Sequence, residues 1–218
     1  MFESVQVIGR GRVGAAVAAR LAERGVALRD DGELVLVCVP DAAIAAVSRE
    51  LVPGRWVAHV SGATPLGALD PHTRRFAVHP LQTFTRARGA EQLDGAWAAV
   101  GAETDEARAH GHELARTLGL RPFDLDDAAR PAYHAGAAIA SNYLVTLHRA
   151  ASRLFEAAGA PPEALVPLMT RTIENGFELT GPIARGDRNT VDAHVRAIHE
   201  EAPELEPMYL ALAEVTRP

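Results

Sequence analysis

The sequence predicts an α/β protein, with a truncated Rossmann-type, mostly parallel sheet over residues 1–125 and an all-α domain over residues 126–218. Three observations lead to this prediction. Strand and helix patterns alternate through the first domain, which is typical of a parallel sheet covered by helices. A glycine-rich turn lies between the first strand and the first helix. Beyond Asp126 the sequence contains helix patterns only.

The glycine-rich turn reads Gly-Arg-Gly-Arg-Val-Gly at positions 9–14 and has the spacing of a dinucleotide-binding fingerprint. It follows the apolar run Val5–Ile8 and precedes an alanine-rich helical segment. The first glycine would make the tight turn, the second would admit a pyrophosphate, and the third would let the helix pack on the strand. The free N–H groups of the helix N-terminus favour phosphate, and two arginines add positive charge. The predicted cofactor-binding residues here are Gly9, Arg10, Gly11, Arg12 and Gly14.

The unit that follows this turn is short. A complete unit supplies an acidic residue for the adenosine ribose about 20 residues further on, at the end of a second strand. Asp30 and Asp31 have that spacing, but only two residues separate them from the next apolar run, Leu34–Val39. A parallel crossover needs about a dozen residues. Either Val26–Leu28 is a rudimentary strand and Leu34–Val39 pairs directly with the first strand, or the chain turns a hairpin after Asp31. We favour the first alternative, because a continuous apolar run is typical of a buried parallel strand.

The remaining elements follow from hydrophobic periodicity and from helix start and stop signals. In the first domain we expect strands over 56–60, 76–78, 97–100 and 121–125, and helices over 41–50 and 105–118. Asp41 is placed to cap the first of these helices. We expect His79–Phe84 to form a loop. In the second domain we expect helices over 132–158, 163–174, 190–199 and 204–216.

The composition excludes several functional classes. The 218 residues carry a net charge of −6, so we expect no nucleic-acid partner. No apolar run approaches the ~18 residues of a membrane-spanning helix, and no secretory signal opens the chain. The single cysteine, Cys38, excludes an intrachain disulfide framework and a cysteine-based zinc site, and we expect no metal. We therefore expect a soluble cytoplasmic protein without a membrane partner.

Several motifs, taken together, resemble one family. Besides the glycine turn, they are Val37–Asp41, His59–Gly62, His79–Phe84, Tyr133–Tyr143 and Leu179–Asp187. The chain resembles the Rossmann-like proteins with a C-terminal domain of unknown function, DUF2520. These belong to the 6-phosphogluconate dehydrogenase-like superfamily, together with pyrroline-5-carboxylate reductase and the F420-dependent NADP oxidoreductases.

The resemblance implies a Rossmann domain, a helical domain through which the protein forms a homodimer, and an NADP-dependent oxidoreductase of unknown substrate. NAD is the alternative cofactor. The sequence departs from the family in the region of the second strand, so no ribose-binding residue is carried over and the adenosine-side contacts are expected to be weakened. Arg10 and Arg12 favour the additional phosphate of NADP.

Four predicted strands end in segments that would meet at one edge of the sheet. In sheets of this kind, ligands bind outside the carboxyl ends of the strands. Beside the glycine turn, these ends supply the cofactor-binding candidates Pro40, Ser61 and Gly62 and the substrate-binding candidates His79, Gln82 and Thr83. The alternative is a stiff loop in which Pro80 restrains His79 and the histidine only bonds the backbone.

The long predicted helix of the second domain carries His134, Ser141 and Asn142. A spacing of seven places Ser141 near His134 on one helical face. In the functional interpretation, His134 is the general acid or base for a small carbonyl or imine substrate, Asn142 binds the reacting group, and Ser141 contacts the substrate. Related dehydrogenases often carry lysine one turn before the asparagine, where this chain has Ala138. The alternative is a buried hydrogen-bond network between helices at a dimer interface.

Arg185 lies in a Gly-Pro…Gly loop and could bind a substrate carboxylate with two hydrogen bonds. An ion pair with Asp187 that holds the loop is the competing interpretation. Two functions therefore remain open from the sequence. One is hydride transfer between NADP and a small molecule. The other is a non-catalytic, degenerate Rossmann dimer that binds a ligand or a partner.

Overall fold

The computed structural model describes residues 2–217 and divides the chain into two compact units, Met1–Ala138 and Ile139–Pro218. The first unit is an α/β domain and the second is helical, as the sequence predicts. Seven strands form one sheet: β1 (Ser4–Ile8), β2 (Ala27–Leu28), β3 (Leu34–Val37), β4 (Trp56–His59), β5 (Arg75–Leu81), β6 (Trp97–Ala102) and β7 (Arg121–Asp124). The helices of the first unit are α1 (Arg12–Glu23), α2 (Asp41–Glu50), α3 (Asp105–Thr117) and α4 (Arg130–Ala138).

The strand order in the sheet is β2-β1-β3-β4-β5-β6-β7. All neighbouring pairs are parallel except β5 and β6, which are antiparallel. The mostly parallel sheet is therefore confirmed, and the reversal at β6 was not predicted. The carboxyl ends of β1, β3, β4 and β5 lie at one edge, where the predicted ligand crevice requires them.

The short second strand follows the first of the two alternatives. β3 pairs directly with β1 from Val5↔Leu34 to Ile8↔Val37, and β2 pairs with the other side of β1 only at Ser4↔Ala27 and Val5↔Leu28. The chain then crosses β1 within a few residues. Gly32 makes this crossing possible, because a Cβ there would lie 2.8 Å from the backbone nitrogen of Gln6. β2 is therefore a two-residue strand that ends opposite Val5, near the amino-terminal end of β1.

Two hydrophobic clusters cover the faces of the sheet. The larger one lies under α1 and α3 and is built on residues such as Leu34, Leu36 and Phe76. The smaller one lies under α2 and contains Val35 and Val37, the alternate residues of the same strand. Side chains of a strand alternate between its faces, so the continuous apolar run of β3 is buried on both sides.

Two details of the first unit differ from the predictions. Asp41 is the first residue of α2 rather than its cap, because Pro40 occupies the capping position and no side chain caps this helix. The expected loop after Val78 begins later, since β5 continues through His79 and Pro80 to Leu81. Beyond Ala77, β5 has a neighbouring strand on one side only. A proline is tolerated in such an edge-like segment, where its missing N–H breaks no ladder on the unpaired side.

The second unit begins with a π-helical turn, Ile139–Tyr143, which follows α4 in the chain. Its helices are α5 (Leu144–Ala157), α6 (Leu165–Glu174), α7 (Arg188–Glu201) and α8 (Glu206–Thr216). The expected single helix over 132–158 is thus interrupted by a wider turn. The last strand ends at Asp124, where the sequence predicts the end of the sheet, and the compact units divide after α4.

The second unit buries few side chains. Among residues 139–217, only Ala150, Leu165, Ile198, Ala202 and Ala213 are buried. Large apolar side chains are exposed instead on the π turn, α5, α6, α8 and the segment after α6. They are Ile139, Tyr143, Leu144, Val145, Leu147, Val166, Leu168, Ile173, Phe177, Leu179, Leu210, Leu212 and Val215.

Candidate functional site

The glycine turn has the geometry of a nucleotide-binding turn. Gly9 has a φ of +97°, and a Cβ there would lie 2.4 Å from the carbonyl oxygen of Cys38. A Cβ on Gly14 would lie 2.0 Å from the carbonyl oxygen of Gly9, so neither position accepts a side chain. By contrast, a Cβ on Gly11 would meet nothing within 4 Å. Gly9 and Gly14 therefore permit the close backbone contacts of the turn, and Gly11 leaves free space in front of the first residue of α1.

The first turn of α1 lies beside an open cavity of about 430 Å³. The loop between β5 and β6 forms the opposite wall with residues Thr85–Gly89. Four arginines line the cavity, namely Arg10, Arg12, Arg86 and Arg88. Within residues 2–217, Arg10, Arg12 and Arg86 make no ion pair or hydrogen bond, and Arg88 has Glu91 at 3.5 Å. No acidic residue lies in the first turn of α1. The cavity is therefore suited to an anion with more than one charge.

Gln92, which is 1% exposed, organises the arginine-bearing loop. Its Oε1 accepts a hydrogen bond from the Thr85 N–H at 2.7 Å. Its Nε2 donates to the carbonyl oxygens of Arg88 at 2.9 Å and Gly89 at 3.0 Å. The loop is thus held by a buried amide at both ends. Gln82 belongs to the same arrangement, because its Nε2 donates to the Gln92 carbonyl at 3.2 Å and its Oε1 accepts from the Thr83 N–H at 2.8 Å.

A second group of polar residues lies at the ends of β4 and β5 and at the start of α4. We call it the histidine–arginine cluster. It consists of His59, Ser61, His79, Asp127, Arg130 and Tyr133. Its members come from three separate segments of the chain, and contacts between them join the end of β4 to α4.

His79 lies against Gly62 and Tyr133. A Cβ on Gly62 would be 2.7 Å from Cε1 of the imidazole, so this glycine makes room for the ring. His79 Nδ1 forms a 2.7 Å hydrogen bond with the Tyr133 hydroxyl. Burial, with further contributions from His134 and Arg130, lowers the pKa of His79 to about 4. Burial raises the pKa of Tyr133 to about 12. At neutral pH, His79 is therefore uncharged and Tyr133 keeps its proton.

Arg130 is the most deeply placed charge of the cluster, at 1% exposed. Its Nε donates to Asp127 Oδ1 at 2.5 Å, and its Nη1 donates to the Ser61 carbonyl at 3.4 Å. Asp127 Oδ2 also accepts from the Leu66 N–H at 2.7 Å. This buried ion pair links α4 to the segment that follows β4.

His59 lies below this ion pair and is fully buried. Its Nδ1 accepts a hydrogen bond from the Ser61 N–H at 3.2 Å. Burial and the nearby Arg130 lower the pKa of His59 to about 3, so the ring is neutral. Within residues 2–217, His59 Nε2 and Arg130 Nη2 have no hydrogen-bond partner.

The predicted site residues of the first unit fall into two groups. Gly9–Gly14 and the arginine cavity lie together, and Gly62, His79 and His134 lie together. The rings of His79 and His134 are 6.4 Å apart, and His134 is exposed. Pro40 is exposed at the start of α2. Ser61 Oγ accepts hydrogen bonds from the N–H groups of its own turn, at 3.3 Å and 3.0 Å, so its side chain shapes the turn.

The predicted site residues of the second unit lie in two segments. Ser141 and Asn142 are in the π turn, and π turns occur frequently at functional sites. The seven-residue spacing from His134 assumes a regular α-helix, which this segment is not. Arg185 donates to the Thr180 carbonyl within its own loop. Asp187 caps α7 by accepting from the Thr190 N–H at 3.1 Å, so no Arg185–Asp187 ion pair is formed among the described residues.

The second strand of the sheet is shorter than β1 and does not extend to the ligand edge. β2 ends opposite Val5, while β1 continues for three residues to Ile8. At about 3.3 Å per residue, the end of β2 lies roughly 10 Å below the ligand edge. Asp30 and Asp31 lie in the turn that follows β2, where the Arg29 N–H donates to the Val5 carbonyl at 3.1 Å. The start of α1 and the arginine cavity are suited to phosphate groups, and β2 pairs with β1 no further than Val5.

Several residues of this site were not predicted from the sequence. Arg86 and Arg88 belong to no recognisable motif. Only their position shortly after the His79–Phe84 segment indicates that they lie near the crevice. Asp127 and Arg130 lie at a domain boundary in the sequence, where charged residues are usually exposed. Tyr133 begins the motif Tyr133–Tyr143, from which the sequence predicts no role for it. Within residues 2–217, no group of three or more His, Cys, Asp or Glu residues could hold a metal ion, and no helix is long and apolar enough to cross a membrane.

Solved structures with the same fold include nicotinamide-dependent enzymes. A protein from Bacteroides fragilis, provisionally described as an NADP oxidoreductase, aligns with a TM-score of 0.81 and 22% identity over 98% of this chain and 97% of that one. A protein from Thermotoga maritima gives 0.76 and 22% over 97% and 96%. An NADH-preferring ketol-acid reductoisomerase from an uncultured archaeon gives 0.64 and 16% over 97% and 81%. At these identities the likeness establishes the fold alone.

Comparison with curated protein sequences finds no significant match. The model of one protein family matches residues 96–216, which is more than half of the chain. The matched region begins with β6 and extends through α8. Its description is a domain of unknown function, DUF2520, in agreement with the resemblance noted from the motifs. The chain belongs to the DUF2520 family.

Proposed function

We propose that the protein is an oxidoreductase that transfers a hydride between a nicotinamide cofactor, NADP or NAD, and a small carbonyl or imine compound. One observation carries this proposal. The open start of α1 at Gly11 faces a cavity that is lined by four arginines. The fold is shared with structures described as NADP- and NADH-dependent enzymes, which supports the same cofactor class.

The chain's own residues have distinct tasks in this proposal. The N–H groups at the start of α1 and the arginines Arg10 and Arg12 hold the phosphates. Gly9 and Gly14 keep that turn closed against β1 and β3. Pro40, Ser61 and Gly62 shape the floor at the ends of β3 and β4. The hydride chemistry is supplied by the cofactor when it is bound.

In this proposal the histidine–arginine cluster provides the proton for reduction of the substrate by a relay. His79 Nε2 gives its proton to the substrate, His79 Nδ1 takes the proton of the Tyr133 hydroxyl, and the resulting tyrosinate regains a proton from solvent. His79 Nδ1 and the Tyr133 hydroxyl are 2.7 Å apart. We assign the hydroxyl as the donor, which leaves the proton of the neutral imidazole on Nε2. A neutral imidazole with a fixed tautomer is a hydrogen-bond donor to a carbonyl oxygen or imine nitrogen. His134 lies beside His79 and is the second candidate for proton transfer. Gln82, Thr83, Ser141, Asn142 and Arg185 are assigned to substrate binding, with Asn142 on the reacting group.

The cofactor proposal is tested by titrating the protein with NADPH and NADH, followed by calorimetry or nicotinamide fluorescence. Binding in the micromolar to low millimolar range is expected, with Gly11→Asp abolishing it because a carboxylate would stand at the phosphates. Gly11→Ala is the matched control. A methyl group meets nothing within 4 Å there, so the fold is retained and the loss of affinity is small. No binding of either cofactor at millimolar concentration excludes the proposal.

The proton-transfer proposal is tested once a screen of carbonyl and imine compounds yields a substrate. Tyr133→Phe is expected to lower kcat by about 10²-fold, the usual contribution of general acid–base catalysis, and to shift the pH dependence of kcat. His134→Gln tests the second donor in the same assay. A variant with an unchanged kcat and pH profile has no role in proton transfer.

We also propose that the protein is a homodimer whose interface is formed by the second unit. Thirteen large apolar side chains of that unit are exposed, and only five of its residues are buried. A unit with so little core of its own requires cover from another surface. Sedimentation analysis is expected to give twice the monomer mass, and Leu168→Glu on the exposed face of α6 is expected to shift the protein towards monomer. A monomeric wild-type protein at micromolar concentration contradicts this proposal.

A further inference from the structure

The two halves of a dinucleotide would meet very different surfaces in this protein. Adenosine normally lies at the end of the second strand, and the phosphates lie at the start of the first helix. Here the second strand is two residues long and ends opposite Val5. The connection Arg29–Glu33 then returns across β1 to β3 without a crossover helix. On the adenosine side, residues 2–217 provide no wall at the level of the ligand edge.

The charges at this edge are also unfavourable for a phosphorylated adenosine. Asp30 and Asp31 are exposed, and the Nε of Arg29 lies 3.4 Å from Asp31 Oδ1. Arg55 donates to the backbone carbonyl of Asp30 at 2.9 Å and so serves the turn itself. Neither arginine is presented as a free phosphate ligand.

The phosphate side of the crevice, by contrast, is positively charged. Four arginines line the cavity, and three of them have no bonding partner among residues 2–217. The pyrophosphate of NADH carries two negative charges, so the cavity holds more positive charge than that group alone neutralises. Gln92 holds the backbone of the Arg86–Arg88 loop in place by hydrogen bonds to three of its residues. A preorganised loop reduces the entropy that binding must offset.

The sheet order separates this loop from the adenosine side. The Arg86–Arg88 loop leaves β5, and β3 and β4 lie between β5 and the β1–β2 edge. From β5 the loop reaches the start of α1, where Arg86 and Arg88 line one cavity with Arg10 and Arg12. An anion that it binds belongs to the pyrophosphate or to the nicotinamide nucleotide, and not to the 2′-phosphate of adenosine.

We infer that this site binds the phosphate-bearing nicotinamide half of its cofactor through the arginine cavity and takes almost no affinity from adenosine. This inference rests on the proposed function and makes it more specific. Its ligand class is a nicotinamide mononucleotide, with or without the adenylate attached. The site then binds NADPH and NADH with similar affinity, because no residue at the end of β2 is placed to contact the 2′ position of the adenosine ribose.

The experiment compares reduced nicotinamide mononucleotide, NADH and NADPH in calorimetric titrations of the full chain. The three dissociation constants are expected to agree within about tenfold, a difference of one hydrogen bond or less. Arg86→Gln and Arg88→Gln are each expected to weaken all three ligands by the same factor of about 10, since each removes one charge-assisted contact. Both residues are exposed, so the variants keep the fold.

Arg29→Gln is the matched control, because it makes the same chemical change at the end of β2. It is expected to leave all three dissociation constants unchanged. If NADH binds and the mononucleotide is more than about 100-fold weaker, the inference is overturned while the proposed function stands. A selective loss of NADPH affinity in Arg29→Gln overturns it as well. If none of the three ligands binds, the proposed function itself fails.

Discussion

The glycine turn and the histidine–arginine cluster are ordered by different physical means, although both lie at the carboxyl edge of the same sheet. The turn is held by backbone contacts so close that Gly9 and Gly14 leave no space for a Cβ. The cluster is held by a buried ion pair and by neutral imidazoles that bond to backbone and hydroxyl groups. Close packing is independent of pH and salt, whereas a buried charge depends on its partner and on protonation.

The comparison also separates recognition from reaction chemistry. The turn offers N–H groups and space, which suit a phosphate and carry out no proton transfer. The cluster contains an imidazole and a phenol with displaced pKa values, His79 at about 4 and Tyr133 at about 12. Displaced pKa values are common where proton transfer takes place. The two regions therefore fail in different ways when they are altered.

The largest effect is expected from Asp127→Ala in the histidine–arginine cluster. It leaves the buried Arg130 guanidinium without a carboxylate, and the free energy of unfolding should fall by about 3–5 kcal/mol. Chemical denaturation measures this change. Asp94→Ala is the matched control. Its partner Arg20 is also buried but retains Glu23 at 2.9 Å and the carbonyl oxygen of Ala90 at 2.9 Å, so the loss should be clearly smaller. Equal losses in the two variants contradict the importance given to the cluster.

A smaller effect is expected from Gly14→Ala in the glycine turn. The new methyl group would lie 2.0 Å from the Gly9 carbonyl oxygen, which forces α1 away from β1. Overpacking of this kind costs about 1–3 kcal/mol. Thermal or chemical unfolding of this variant is compared with that of Gly11→Ala, which has free space and should unfold like the wild type. A stable Gly14→Ala protein would show that the turn is less tightly packed than described.

The most selective effect concerns pH. His59 and His79 have pKa values of about 3 and 4 in the folded chain, below the ordinary 6.5. As the pH falls below 6.5, the unfolded chain takes up protons that the folded chain does not, so the stability falls towards pH 4. Each histidine contributes at most ~1.4 kcal/mol per pH unit. The measurement is urea denaturation between pH 7.5 and 4.5, and His79→Asn should flatten the curve. If the slope of stability against pH is unchanged in that variant, His79 does not contribute to the pH dependence.

The sequence was sufficient to predict the glycine turn and the direct pairing of β3 with β1. Both depend on local features, namely glycine spacing and a connection too short for a crossover helix. The antiparallel β6 and the long β5 were not predictable, because the strand direction of β6 depends on the path of residues 82–96 rather than on its own pattern. The histidine–arginine cluster depends on residues 59–133 meeting in space. No local signal shows that Arg130, at the start of a helix, is buried.

The short β2 also leaves part of the outer edge of β1 without a neighbouring strand. Above Val5, the outer side of β1 has no strand neighbour among the described residues, and the Arg29 N–H donates to the Val5 carbonyl where the pairing ends. An open strand edge of this kind is a template for further pairing. The β2–β3 connection is consequently the position at which extra residues could extend the sheet. The β1–β3 register, set from Val5↔Leu34 to Ile8↔Val37, would stay as it is.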